Sequence, residues 1–303
     1  MKVLKTKIPK VSKNYLKIET SGLSKEKDTI ITIGIIEKDS KELKNFYIEN
    51  LKDEEKLLEY IIPSLENKEI VTFSGKNFDL PFLNSKSKFY FDREINTQFI
   101  DLQEVSKKYN YLFNLSSHSN KSLLDYFLKE SIEENNYKGI KIKNLFKNFV
   151  EGKETSLLKI VDYNISNLKN LILLDSKINS ELEKNLSLKV FDCKFLIKKM
   201  NLIENTLEIQ GVTNYDKKYF STNNLYTLNI DKIFNIKINT EDALYDNKNK
   251  CFYTLKKDFP FILENASKIE SPSQILILYY KNHLFENEKY LIQKILEFEL
   301  KNL

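Results

Sequence analysis

The sequence is poor in cysteine, glycine, proline and tryptophan: its 303 residues include two Cys, six Gly, five Pro and no Trp. Cys193 and Cys251 lie far apart without neighbouring histidines, so neither a zinc site nor a disulfide framework is indicated. Both thiols are expected to be reduced, as in the cytosol. No run of about eighteen apolar residues exists, so we expect no membrane-spanning helix. Residues 1–13 carry five lysines but no apolar core, which is unlike a secretory signal, and we predict a cytoplasmic location.

Lysine, asparagine, isoleucine and aromatic residues are abundant, with 20 Phe and 17 Tyr. The skew towards Lys, Asn and Ile is typical of codons rich in A and T, so a single Lys or Asn carries little functional information. The net charge of +5 permits a polyanionic partner but does not require one.

The first part of the chain has the pattern of an α/β domain. Three consecutive strand-like segments predict an antiparallel meander, and a helix, two short strands and further helices follow. The predicted strands are residues 14–19, 28–37, 43–48, 69–73 and 97–102, and the predicted helices are residues 53–66, 103–115, 121–129, 141–150 and 155–177.

After residue 183 the periodicity changes to strand-like alternation, which predicts a second, β-rich domain that ends in a helix. We therefore expect domains at residues 1–183 and 184–303. The final helix fits either a cover for the β-domain or a contact surface for a protein partner. The predicted strands are residues 188–200, 202–213, 225–238, 251–255 and 275–280, and the final helix is residues 283–303.

Three polar stretches interrupt the apolar pattern of the first domain. Lys17 and Glu19 are two apart on the first strand, so their side chains share one face. Asp79 follows a buried strand, where it serves either as a helix N-cap or as a functional carboxylate. Tyr163 and Asn167 are four apart on a helix and also share a face.

These stretches resemble the DEDD family of 3′–5′ exonucleases, and among them the bacterial ribonuclease H-like group that includes the YprB-type proteins. The resemblance implies an α/β fold: a ribonuclease H-like mixed sheet, with an antiparallel meander plus parallel strands, and flanking helices. It covers Asn14 to Ile178, and its segments are IETSGL at residues 18–23, FSGKNFDLPFL at 73–83, Ile100-Asp101-Leu102, and Tyr163-Asn164 followed by Leu168.

The resemblance also implies hydrolysis of phosphodiester bonds with two metal ions, Mg²⁺ or Mn²⁺, held by four acidic residues. Such proteins have Asp at the positions of Lys17 and Asn167, so the chain keeps Glu19 and Asp79 as the remaining metal ligands. Tyr163 occupies the position of the Tyr or His that, in such proteins, orients the attacking water or acts on its proton. We expect the Lys17 ammonium to pair with Glu19 or Asp79 and to oppose metal binding.

The preferred hypothesis is a nucleic-acid-binding protein with impaired catalysis, whose partner is single-stranded DNA or RNA. One alternative is an active exonuclease with a metal ion held by Glu19 and Asp79. Another is a protein–protein module that keeps the fold. For Lys17 and Asn167 the competing interpretation is that both are ordinary surface residues.

Four other features carry weaker signals. Asp101 either borders the cleft or caps the following helix. Lys107-Lys108-Tyr109-Asn110-Tyr111 fits an amphipathic helix or a path for nucleic acid, since it combines basic and aromatic residues. His118 is expected to be a solvated loop residue, and His283 a surface residue at the start of the last helix.

Overall fold

A computed structural model describes residues 1–128 and 139–301 of the chain. Its internal contacts divide the chain into two compact units. The first comprises Met1–Tyr109 with Leu115–Asn179, and the second comprises Asn110–Asn114 with the chain from Ser180 onward. The domain limits at residue 183 stay a prediction.

The first unit contains a six-stranded mixed sheet, which confirms the predicted α/β fold with its antiparallel meander and parallel strands. The strand order is β1-β4-β3-β2-β5-β6; β5 and β6 continue the sheet in parallel with β2, and the other pairs are antiparallel. The strands are β1 (Lys2–Lys7), β2 (Asn14–Thr20), β3 (Ile30–Ile36), β4 (Glu42–Tyr47), β5 (Glu69–Thr72) and β6 (Gln98–Asp101).

Helices flank this sheet, and their ends differ from the prediction at several places. The predicted helix 103–115 ends early, at Lys108, because the backbone of Tyr109 leaves the helical conformation (φ −101°, ψ 22°), and a separate short helix follows. Residue 129, the predicted end of another helix, lies outside the described residues. The helices are α1 (Asp53–Leu65), α2 (Asp79–Phe91), α3 (Leu102–Lys108), α4 (Asn110–Phe113, in the second unit), α5 (Asn120–Leu128), α6 (Gly139–Val150) and α7 (Glu154–Leu186).

The core of the first unit lies where β2 and β3 meet α1. Every residue of β3 is buried, as its strongly β-branched sequence predicts for a central strand. The apolar stripe of α1 is buried as well, as its 3.6-residue periodicity predicts. This packing makes β2, next to β3, a rigid support for the side chains that it presents.

The second unit is β-rich and ends in a helix, as predicted. One sheet has the order β10-β11-β12-β9-β8-β7 and the other β13-β14-β15-β16, followed by α8 (Phe285–Leu300). The strands are β7 (Ser187–Val190), β8 (Cys193–Ile203), β9 (Thr206–Thr213), β10 (Tyr219–Thr222), β11 (Tyr226–Asp231), β12 (Ile233–Asn239), β13 (Glu241–Leu244), β14 (Lys250–Leu255), β15 (Ile275–Tyr280) and β16 (Asn282–His283).

Two predicted strands of this unit are wrong, because each is a hairpin. Residues 188–200 turn at Phe191 (φ 52°), and residues 225–238 turn at Lys232 (φ 65°). Neither turn contains glycine, so the usual signal for a hairpin is missing. Within the described residues, no helix is long and apolar enough to cross a membrane.

Candidate functional site

Strand β2 presents two charged side chains on the face opposite to its core residues. Leu16 and Ile18 are fully buried, while Lys17 and Glu19 alternate with them and remain partly accessible. The period of two therefore places an ammonium and a carboxylate side by side near the centre of the sheet.

Asp79 enters the site from the first turn of α2. The chain leaves β5 through Ser74, whose φ is 55°, and Gly75 then passes so close to β5 that a Cβ there would lie 2.4 Å from Oγ1 of Thr72. This tight turn needs a residue without a side chain at position 75. The Asp79 side chain is fully buried.

Asp101, at the end of β6, holds this turn in place. Its carboxylate accepts hydrogen bonds from the backbone N–H groups of Ser74 (2.8 Å), Lys76 (3.2 Å) and Gln103 (3.0 Å). The bond from Gln103 caps α3, which confirms the capping interpretation. The other two bonds also make Asp101 a positioning residue for the loop that leads to Asp79.

Helix α7 approaches the sheet closely at Gly34. A Cβ at this position would lie 2.2 Å from Cδ1 of Leu168 and 2.3 Å from Oδ1 of Asn164. Gly34 is also the residue of β3 that pairs with Lys17 of β2. The glycine that interrupts the β-branched strand therefore allows α7 to contact the sheet beside Lys17.

A chain of buried amides attaches α7 to the sheet. Asn164 is fully buried; its Nδ2 donates to the Lys17 carbonyl (3.1 Å), and its Oδ1 accepts from Nδ2 of Asn45 (2.7 Å). Oδ1 of Asn45 in turn accepts from the Thr32 hydroxyl. These bonds satisfy polar groups that are costly to bury alone.

Lys17 and Asp79 form an ion pair inside the site. The Lys17 Nζ lies 3.0 Å from Oδ1 and 3.2 Å from Oδ2 of Asp79, and the lysine side chain is 20% exposed. Burial alone lowers the pKa of Lys17, but the carboxylates of Asp79 and Glu19 outweigh burial and hold this pKa above its ordinary value. The ammonium is therefore charged, and it engages both oxygens of its counter-ion.

Glu19 has a separate partner, the amide of Asn167. Nδ2 of Asn167 donates to Oε1 of Glu19 at 3.1 Å. Burial raises the pKa of Glu19 to about 7, against the opposing effects of Lys17 and Asn167. Burial likewise raises the pKa of Tyr163, where a hydrogen bond with Asn167 acts in the opposite direction.

Four of the five predicted site residues line one pocket of about 360 Å³, and the fifth, Asp79, is bonded to Lys17. The structure thus brings all five together, although their catalytic and metal-binding roles stay a prediction. Lys17 also lies 5.8 Å from the centre of the Phe78 ring. The pocket is lined by Lys17, Glu19, Phe73, Ser74, Phe78, Asn120, Tyr163, Asn167 and Leu171.

The donor set does not fit a centre for two divalent metal ions. Mg²⁺ requires several hard oxygen ligands in near-octahedral geometry. Here both oxygens of Asp79 accept from an ammonium, and Asn167 directs its NH₂ group, not its oxygen, at Glu19. In residues 1–128 and 139–301, no group of three or more His, Cys, Asp or Glu residues could hold a metal ion.

Neither histidine is among the residues that line this pocket. Nδ1 of His118 is 2.9 Å from the Ser106 hydroxyl, so this loop residue is bonded to α3. The prediction of a surface residue at His283 is wrong: its side chain is 15% exposed and lies 2.6 Å from Oε1 of the fully buried Glu288. The stretch 107–111 is divided between α3 and α4.

Sequence reasoning missed several supporting residues. Gly34 had a usable signal, since glycine within a β-branched strand marks a close backbone approach. Asn45 and Thr32 had none, because Asn45 meets Asn164 of α7, and Thr32 meets Asn45, only in the folded chain. The same holds for Asp175 of α7, which accepts bonds from Lys13 (2.8 Å) and the Tyr15 hydroxyl (2.8 Å).

Comparison with known proteins gives one match to a protein family: residues 14–179, more than half of the chain, match a family model described as RNase H superfamily. No curated protein shows significant similarity to the chain. Among solved structures, one described as the apo form of the nuclease has a TM-score of 0.39 and 15% identity, over 57% of this chain and 74% of its own. Brucella melitensis NrnC, alone and bound to pGG, has a TM-score of 0.38 and 16% identity, over 59% of this chain and 79% of its own.

Proposed function

Because this chain belongs to the RNase H superfamily, we propose that its first unit is a DEDD-type module that binds single-stranded nucleic acid and has lost metal-dependent hydrolysis. RNase H-like nucleases generally use divalent metal ions. The observation that carries the proposal is the Lys17 ammonium, which contacts both oxygens of Asp79.

The ion pair opposes metal binding in two ways. A fixed positive charge repels a divalent cation by several kcal/mol at short range, even at an effective dielectric constant of about 20. In addition, a metal ion would have to displace Lys17 from Asp79, whose side chain is fully buried. The displaced ammonium would also lose both of its hydrogen-bond acceptors on Asp79.

The pocket nevertheless keeps features that suit a nucleotide. Phe73, Phe78 and Tyr163 offer aromatic side chains, and Asn120 and Asn167 offer amides. Aromatic residues bind single strands through stacking on bases, and amides bind the polar edges of bases. The volume of about 360 Å³ lies within the range of small-ligand pockets.

Binding of labelled single-stranded DNA and RNA by the full chain, followed by fluorescence anisotropy, tests the proposal. We expect equal affinity in EDTA and in Mg²⁺ or Mn²⁺, weaker binding at high salt, and no cleavage of the labelled strands on gels. Tyr163→Leu should weaken binding by about fivefold or more, since stacking on an aromatic residue is worth about 1–3 kcal/mol.

A matched control is Lys44→Met compared with Lys17→Met. Lys44 also belongs to this sheet and pairs with a carboxylate, Glu37, at 3.2 Å, but it does not line the pocket. Only the change at Lys17 should alter binding. Metal-dependent cleavage that disappears in Glu19→Ala and Asp79→Ala would show instead that the nuclease is active. The absence of any salt-dependent binding would favour a protein–protein module.

A further inference from the structure

The hairpin of β7 and β8 in the second unit has an unusual residue at its tip. Val190 pairs with Cys193, so Phe191 and Asp192 form a two-residue turn. Phe191 has a φ of 52°. Two-residue hairpin turns place Gly, Asn or Asp at positive φ, because a bulky side chain is strained there.

The Phe191 ring is also 54% exposed, so the fold gains little from burying it. Among non-glycine residues with positive φ in the described ranges, Phe191 is the one with an apolar side chain. The others are Asp39, Asn67, Ser74, Asp92, Asn114, Glu204, Lys232 and Lys281. A strained and exposed aromatic residue that does not serve packing points to a contact with a partner.

Lysines lie along the two strands of this hairpin. Lys189 lies directly opposite Lys194 in the antiparallel ladder, and like charges at such positions destabilise a hairpin. Residues 187–203 contain four lysines and one acidic residue, Asp192. Glu183 pairs with Lys194, whereas no carboxylate within the described parts of the chain forms an ion pair with Lys189 or Lys199. The hairpin therefore suits a polyanion.

We propose that the β7–β8 hairpin binds single-stranded nucleic acid, with a base stacked on Phe191 and phosphates bound by Lys189 and Lys199. This site is separate from the pocket at Lys17, and it rests on the proposed function in one respect, that the chain binds nucleic acid. An exposed aromatic ring and ammonium groups on the same hairpin are the two components of sequence-tolerant recognition of single strands.

The test compares two aromatic substitutions in the full chain. Phe191→Gly should weaken the binding of oligothymidylate or oligouridylate of about fifteen nucleotides by about fivefold or more. Its thermal midpoint should be unchanged or higher, because glycine adopts positive φ without strain. The control is Phe220→Ser, which removes a 64% exposed ring from β10, at the opposite edge of the same sheet, and should leave binding unchanged.

A charge test uses Lys189→Gln, with Lys237→Gln as its control because Lys237 is paired with Glu208. Loss of one phosphate contact should reduce the dependence of log K on log salt by about 0.7 for Lys189→Gln only. If Phe191→Gly binds like wild type while Tyr163→Leu binds more weakly, the hairpin site is refuted and the proposed function stands. Binding that is absent in the wild type refutes both.

Discussion

Replacing both Lys17 and Asn167 by aspartate should make the stability of the protein depend on a divalent cation. The two changes shift the formal charge of the site by −3, since Lys to Asp contributes −2 and Asn to Asp −1. They also remove the ammonium from the two oxygens of Asp79. Four carboxylates then surround one pocket: the two new aspartates, Glu19 and Asp79.

The magnitude follows from the burial of the ion pair. The Asp79 side chain is fully buried and that of Lys17 is 20% exposed, so loss of the lysine should cost about 3–5 kcal/mol in metal-free buffer. Binding of Mn²⁺ at a concentration of about 100 times its Kd would return about 2.7 kcal/mol. For a domain of this size, that gain corresponds to a rise in Tm of roughly 5–10 °C.

Thermal unfolding of the wild type and the double variant in EDTA and in Mn²⁺ measures this difference. The wild type should have the same Tm in both buffers, because Lys17 already neutralises Asp79. Lys17→Met is the control: it loses the same ion pair but adds no ligand, so it should be destabilised in both buffers without a response to Mn²⁺.

Two outcomes would refute this reasoning. The first is a wild-type Tm that rises in Mn²⁺ as much as that of the double variant, which would mean that the ammonium does not block the site. The second is a folded double variant whose Tm is the same in EDTA and in Mn²⁺, which would mean that these four positions do not share an ion site.

Three further predictions concern the residues around the pocket. The pKa of Glu19 is about 7 in the folded chain and 4.5 ordinarily, because burial favours the protonated carboxyl group. The contribution of Glu19 to the free energy of unfolding is therefore complete below pH 4.5 and is lost as the pH rises through 7. Glu19→Gln should therefore gain up to about 3 kcal/mol relative to wild type between pH 5 and 8 in denaturant unfolding. Gly34→Ala should cost about 1–3 kcal/mol in the same assay, because the new Cβ meets Leu168 and Asn164 at 2.2 and 2.3 Å. Asp101→Asn should cost about 1–2 kcal/mol and weaken oligonucleotide binding, since the amide replaces an ionised acceptor of three N–H groups.

Local patterns predict the central elements of the first unit well. The β-branched run of β3 and the apolar stripe of α1 identify a buried strand and an amphipathic helix, and both are present. The alternation along β2 also places Lys17 and Glu19 on one face. These predictions succeed because side-chain direction within one element depends on its own period.

Other elements have no such local signal. Strand β1 is exposed along most of its length, so its residues show no alternation, and its pairing with β4 is a long-range contact. The hairpins at Phe191 and Lys232 turn without glycine, in a chain with six glycines in all. Turns are hard to predict from sequence when residues other than the usual turn formers occupy them.

The residues of the site likewise divide into those that local spacing predicts and those that depend on long-range contacts. The spacing of Tyr163 and Asn167 places both on one face of α7, but which carboxylate Lys17 pairs with depends on how α2 meets β2. Only the structure identifies Asp79 as that partner, at 3.0 Å. The support from Asp101 likewise depends on contacts between residues more than twenty positions apart.

The buried amides of Asn45 and Asn164 have a consequence for how α7 sits on the sheet. Sliding the helix by one turn, about 5.4 Å, would leave the Asn45 amide and the Lys17 carbonyl without partners inside the protein, at about 1–3 kcal/mol for each group. A helix with only apolar contacts could exchange one leucine for the next at lower cost. The amides thus allow a single axial position for α7, and that position brings Asn167 opposite Glu19.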